Sequence, residues 1–175
     1  MNDFLNEIWL DNSIRTYLIV CGVILFAWLF RPLLSRYFAG LLFGVVHRIW
    51  KNVDKPAFTS LVLKPLGFFL LILVSVAALY KLNFPHRLDE TIYNFTIRQI
   101  IHSIGTIILI VSLFGLLLRI IDFIALILEK KADLTPDQSD NQLIVFFKDF
   151  FKVILVIIGI MLVLRYAFGQ DVGGL

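Results

Sequence analysis

The side chains able to do bond-making or metal chemistry are few and scattered. His47, His86 and His102 fall in three different segments, without the close spacing by which histidines converge on a metal ion. One cysteine, Cys21, lies inside an apolar run, which excludes a disulfide framework and a cysteine metal cluster and reads as a small buried hydrophobe. No Ser/His/Asp, Cys/His or paired-carboxylate set falls at one depth on a credible pair of helices. Neither an enzyme, a metal site nor a cofactor is expected. Asn94-Phe95-Thr96 has the form of a glycosylation sequon, but nothing points to a secretory compartment that would use it. Gly40 and Gly44 have the spacing of a helix-packing pair, a spacing that is also common by chance.

The charged residues inside or beside apolar runs are more informative. Arg119 and Asp122 stand three residues apart in a long apolar stretch, where an unpaired charge at mid-bilayer costs at least ~2.5–3.5 kcal/mol. They could neutralise each other along one helix face; alternatively, Arg119 could hold a lipid phosphate or a neighbouring loop. Lys148 and Lys152 lie one helical turn apart beside Phe146, Phe147, Phe150 and Phe151. The phenylalanines, with Ile154, would share one side and Lys148, Asp149 and Lys152 another, a pattern suited to headgroup depth. These lysines are expected to bind anionic lipid headgroups. The pI of about 9.1 is thereby accounted for by lipid rather than nucleic acid, because the basic residues cluster beside apolar spans and not on a polar domain.

Such residues need elements to carry them, and composition says which. Of 175 residues, 59% are apolar and 17% charged, with mean hydropathy +0.89. A soluble domain is roughly 45–50% apolar and about 25% charged. The excess comes in runs near the ~20 residues that cross ~30 Å of hydrocarbon. Lipid requires backbone groups to be paired internally, and the runs lack the alternation of barrel strands. The fold class is therefore all-α integral membrane, with about four transmembrane helices and an amphipathic interfacial helix.

The first span runs from about Ile14 to Leu34, with exit at Arg31-Pro32. Asp3, Glu7 and Asp11 replace the cationic start of a signal peptide, so this helix is expected to stay in the mature chain. Leu34, Phe38, Leu41, Val45 and Ile49 keep helical spacing and predict a surface amphipathic helix. Asp54, Lys55 and Pro56 break it, and a second span follows from about Leu61 to Tyr80, with Lys64-Pro65 in its first turn. A third helix starts near Glu90, is apolar from Ile104 to Leu118 and continues to Leu128. Ser139 and Gln142 have capping-box spacing for a fourth span, Leu143 to Tyr166.

The segment Asp140 to Val153, the apolar span after it, and Leu164-Arg165-Tyr166-Ala167-Phe168-Gly169-Gln170-Asp171-Val172 together resemble the helix just before the pore in small-conductance mechanosensitive (MscS-like) ion channels. The helix before it, with Arg119 near its cytoplasmic end and Glu129-Lys130-Lys131-Ala132-Asp133 leading out, resembles the family's first sensor helix. The resemblance divides the chain into an additional N-terminal helix pair with amphipathic linker (1–98), a sensor pair (99–168), and a turn with the first residues of a pore helix (169–175). It implies a tension-sensing part of a weakly selective channel opened by osmotic stress, assembled as a ring of seven identical subunits in a bacterial inner membrane. Arg119, Asp122, Phe146, Phe147, Lys148, Phe150, Phe151 and Lys152 would then serve lipid contact and tension sensing. Gly169, Gln170, Asp171, Val172, Gly173 and Gly174 would form the turn to the pore helix. The family's Gly/Ala-rich pore helix, gate leucines and soluble vestibule have no counterpart in the 175 residues, so no gate is assigned. The alternative is a small non-conducting membrane scaffold or accessory subunit that is complete at Leu175.

Orientation follows from the cations. With the N-terminus outside, Arg31, Arg36, Arg48, Lys51, Lys55, Lys64, Arg119, Lys130, Lys131, Lys148 and Lys152 lie inside, and Arg15, Lys81, Arg87, Arg98 and Arg165 outside. That is eleven of the 16 basic residues on the cytoplasmic side, as the positive-inside rule favours. Cysteines introduced at Asn83 and Asp137 should accordingly label from opposite faces of the membrane, Asn83 from outside; labelling of both from one face would overturn this topology.

Overall fold

The computed structural model describes residues 7–9, 11–49, 55–83, 91–92, 95–133 and 139–168. Helix α1 spans Ile14–Ile49, a short α2 spans Lys55–Phe58, a π-helical turn Thr59–Leu63 leads directly into α3, Lys64–Leu79, and α4 and α5 span Ile97–Ala132 and Ser139–Phe168. Two small antiparallel hairpins complete it: β1 (Ile8–Trp9) with β2 (Asn12–Ser13), and β3 (Thr91–Ile92) with β4 (Phe95–Thr96). The chain is helical, as composition requires. Three helical stretches are long and apolar enough to cross a membrane: Ile14–Leu33, Pro56–Leu79 and Arg98–Ala132. In α5 the unbroken apolar run is shorter, residues 153–164 between Lys152 and Arg165.

Neighbouring helices run antiparallel, and named contacts fix their levels. Asn12 at the start of α1 meets Asn83 just past α3, while Arg31 sits 5.7 Å above the ring of Phe68. Tyr80 at the end of α3 meets His102 and Thr106 of α4. At the opposite end Phe58 packs on Phe123 with ring centroids 5.3 Å apart. Phe58, Leu63, Phe123 and Ile127 form the buried cluster, with Leu61 and Val62 against it. The core thus lies at one end, beside the π turn, and most of the helix surface faces outward.

The first apolar span ends at Leu33, at the expected exit, while α1 itself continues through Pro32 to Ile49. Proline removes one backbone bond and crowds the preceding turn, yet apolar helices accommodate it by local adjustment. The side chains of the expected stripe from Leu34 to Ile49 lie outside the described residues. Cys21 is exposed, not buried, because α1 leans on α3 with one side and leaves the rest of its circumference open.

Pro65 lies in the first turn of α3, as expected, but the helical path starts before it. Helix begins at Lys55, and the turn before the proline widens so that the Lys64 N–H donates to the Thr59 carbonyl, five residues back. That wider turn makes room for a ring that cannot donate and would crowd the carbonyl four residues earlier. The third long helix starts at Ile97 instead of near Glu90. β-Branched Thr91, Ile92 and Thr96 favour the extended hairpin found there.

At the hairpin end, Asn12 is 5% exposed and acts as a two-point clasp. Its Nδ2 donates to the Asn83 carbonyl at 2.6 Å, and its Oδ1 accepts from the Asn83 N–H at 2.7 Å. A side-chain amide thereby satisfies both backbone groups of one residue, and its removal leaves them unmade at a partly buried contact. Asn12→Ala should lower unfolding stability in detergent by about 1–3 kcal/mol, measured by denaturant titration; an unchanged midpoint would show that water replaces the clasp.

Candidate functional site

The longest antiparallel contact joins α4 and α5, and two ion pairs cross it. Lys152 pairs with Asp122, and Lys148 Nζ lies 3.3 Å from Glu129 Oε1. Asn141 Nδ2 donates to Asp133 Oδ1 at 2.9 Å beyond them. Lysines one turn apart on α5 therefore meet carboxylates two turns apart on α4, reached by flexible lysine stems. Each pair is partly open to the surroundings, so in water it would contribute about 1 kcal/mol or less. Beside lipid the same pair is screened less and holds more firmly.

Asp122 is thus neutralised across the helix pair by Lys152, not along its own helix by Arg119. Arg119 is exposed and lines a separate groove between α3 and α4. The side-chain directions explain the difference: Asp122 points toward α5 while Arg119, nearly a turn earlier, points toward α3.

The phenylalanines form two rows. Phe146 stacks over Phe150 with centroids 6.2 Å apart, and Phe147 over Phe151 at 6.3 Å. Edge contacts of 5.8 Å tie the rows together. All four are exposed, Phe146 by 63%. Phe147 and Phe151 also wall an apolar cavity of about 600 Å³ with Ile121, Ile124, Leu128 and Ile154. Lys148 borders the same cavity, so it shares the α4-facing side with these rings instead of lying apart from them. The rings add apolar surface without a protein partner, and their mutual stacking keeps that surface rigid.

Further along, Gly159 of α5 lies tightly against the Phe114 ring of α4. A Cβ added there would stand 3.0 Å from Phe114 Cδ1. A second close approach lies at Gly105, where an added Cβ would be 3.3 Å from the Tyr80 hydroxyl oxygen. Gly44, by contrast, faces open space; Gly40 lies outside the described side chains. At Gly44 the structure agrees with reading the spacing as chance, and the close approaches at Gly159 and Gly105 were not singled out in the sequence. The available signal was Gly159 as the one glycine in the run 153–164, where small residues mark close packing in membranes. Glu129 was also missed as a partner, since its role depends on a register that only the folded pair sets.

Gly169, Gln170, Asp171, Val172, Gly173 and Gly174 lie outside the described residues. Of the histidines, His102 stacks at 4.7 Å on Tyr80 and its carbonyl accepts from the tyrosine hydroxyl at 3.2 Å. Comparison with protein-family models, characterised proteins and solved structures gives no match. What defines the class is therefore the molecule itself: a helical chain with membrane-compatible spans. The likeness to MscS-like channels rests on the residue pattern of its last two helices.

Because Gly159 sets the α4–α5 spacing, a branched side chain there must push Phe114 aside or part the helices. Gly159→Val should lower the thermal midpoint in detergent, corresponding to about 1–3 kcal/mol of overpacking, while Gly44→Val, in open space, should leave it unchanged; equal effects would remove Gly159 from this role.

Proposed function

We propose that the chain is the membrane-tension-sensing part of a mechanosensitive ion channel resembling the MscS-like family, which opens a weakly selective pore under osmotic stress. It acts by packing and lipid contact, not as an enzyme. The observation that carries this reading is the α4–α5 pair: two long helices tied by Lys152–Asp122 and Lys148–Glu129, with wide apolar faces left outward. Tension favours the state that occupies more membrane area. A sensor consequently needs broad lipid-facing surface on a body stiff enough to pass force onward, and a cross-braced helix pair supplies both.

The same reading counts α5 as a fourth span. Basic residues bracket each helix: Arg15 and Arg31, Lys64 and Lys81, Arg98 and Arg119, Lys152 and Arg165. At 1.5 Å per residue these separations run from about 20 to 31 Å, against ~30 Å of hydrocarbon. Long cationic stems make up the shortfall by reaching to the headgroups. The contacts that align Asn12 with Asn83, Tyr80 with His102 and Lys152 with Asp122 support two common levels for these charges. With the N-terminus outside, the Arg31, Lys64, Arg119 and Lys152 level faces the cytoplasm of a bacterial cell. Lys148 and Lys152 keep part of their side chains open and contact anionic headgroups there. By resemblance the subunits form a homo-oligomer, a ring of seven.

Patch recordings on the protein, expressed from its natural reading frame, test this. Currents should appear above a threshold tension, and Gly169→Pro should shift that threshold while leaving unitary conductance nearly unchanged, because stiffening the turn alters force transfer and not the pore. A folded, inserted protein silent at every tension would instead identify a non-conducting scaffold.

A further inference from the structure

A second groove, of about 850 Å³, runs between α3 and α4, and its charge is unlike that of the α4–α5 contact. Its walls are apolar: Phe68, Ile72, Ile107, Ile108 and Val111 lie along it. At one end stand Lys64 and Arg119, both exposed. Arg31 joins them from α1, its guanidinium over the ring of Phe68. Among the described residues no carboxylate pairs with any of the three, whereas Lys148 and Lys152 each have one. Two cations stand at the mouth of an apolar slot and a third lies over one of its wall residues, with no counter-charge among the described residues.

We propose that this groove is a binding site for one anionic phospholipid, its acyl chain along the apolar walls and its phosphate held by Lys64 and Arg119, with Arg31 adding charge. The dimensions fit one leaflet. From Lys64 to Ile72 the α3 wall spans about 12 Å at 1.5 Å per residue, close to the ~15 Å of half the hydrocarbon thickness. Lys64 and Arg119 both lie at one end, as a chain with one charged head demands. Lysine and the arginine fork are the standard donors to phosphate oxygens. The net charge selects among lipids: a phosphocholine brings its own cation to a site already holding three, whereas phosphatidylglycerol brings only the anion. The floor is open at Gly115, where an added Cβ would meet nothing within 4 Å. The inference requires insertion in a bilayer and is independent of conduction.

The experiment uses the full chain purified in detergent, titrated with phosphatidylglycerol or phosphatidylcholine of identical acyl chains and read by native mass spectrometry. Phosphatidylglycerol should bind about tenfold more tightly, the equivalent of one charge-assisted contact. Lys64→Gln with Arg119→Gln should bring that ratio close to one. Gly115→Leu, which places a side chain in the open floor, should weaken both lipids about tenfold with helical content unchanged by circular dichroism. The assignment is overturned if the headgroup preference survives the Lys64/Arg119 change, if it is lost instead in Lys148→Gln with Lys152→Gln, or if glycerophosphoglycerol without acyl chains binds as tightly as the lipid.

Discussion

The register between α4 and α5 governs the shape of the described molecule, and it is set by charge. A lysine at 152 reaches only the carboxylate at 122, and a lysine at 148 only that at 129. Sliding one helix by a turn would keep at most one lysine–carboxylate pair and leave the other lysine and carboxylate unpaired beside an apolar surface, where an uncompensated charge is costly. With this register in place, Gly159 falls opposite Phe114 and the two helices can close on each other. It also sets which rings of α5 turn toward the α4 cavity, Phe147 and Phe151, and which turn away. The ion pairs select the arrangement; the close contact at Gly159 gives it its packing.

Apolar burial has a smaller part here than in a water-soluble bundle. Lipid tails are as apolar as leucine, so burying side chains against one another gains little from solvent exclusion, and association depends on close fit and polar contacts. The contacts between helices follow that rule. Asn12 clasps Asn83, the Tyr80 hydroxyl reaches the His102 carbonyl over Gly105, and lysines meet carboxylates between α4 and α5. The apolar cluster of Phe58, Leu63, Phe123 and Ile127 lies past the level of Arg119, where apolar burial adds to these polar contacts.

How much of this was legible depended on the range of the signal. Long apolar runs and flanking cations announced membrane-compatible helices, because length and polarity are local properties, and Leu61–Tyr80 and Leu143–Tyr166 fall within the helices found. Ser139 stands at the first residue of α5, where the polar-to-apolar change placed it. Features needing partners were not legible. Asp122 lies three residues from Arg119 and thirty from Lys152, and sequence spacing favours the neighbour while the fold selects the distant lysine. Pro65 falls in the first turn of α3, as read; the widened turn before it at Thr59–Leu63 was not legible, because it depends on how the helix must fit its neighbours. The glycines show the same limit. Gly40 and Gly44 have a recognisable spacing, but spacing does not say whether another helix is there to use it, and it is Gly159 that has one.

The widened turn at Thr59–Leu63 gives the second hairpin of helices an angular setting. Each residue of an α-helix advances the chain by about 100°, and a π turn winds in one residue more than the α turn it replaces. The stretch before it and the stretch after it are therefore out of phase. On one side of that offset Phe58 is directed at Phe123; on the other, Phe68 lies under Arg31. A straight helix of the same length could satisfy one of these neighbours but not both. Loss of a single residue from 59 to 63 would close the turn to ordinary α geometry and leave the two halves facing as they do, whereas the same loss in the regular helix beyond it would swing one half against the other by about 100°. A one-residue deletion is thus absorbed in this turn and acts as a rotation on either side of it, so the turn is where the length of this helix has slack.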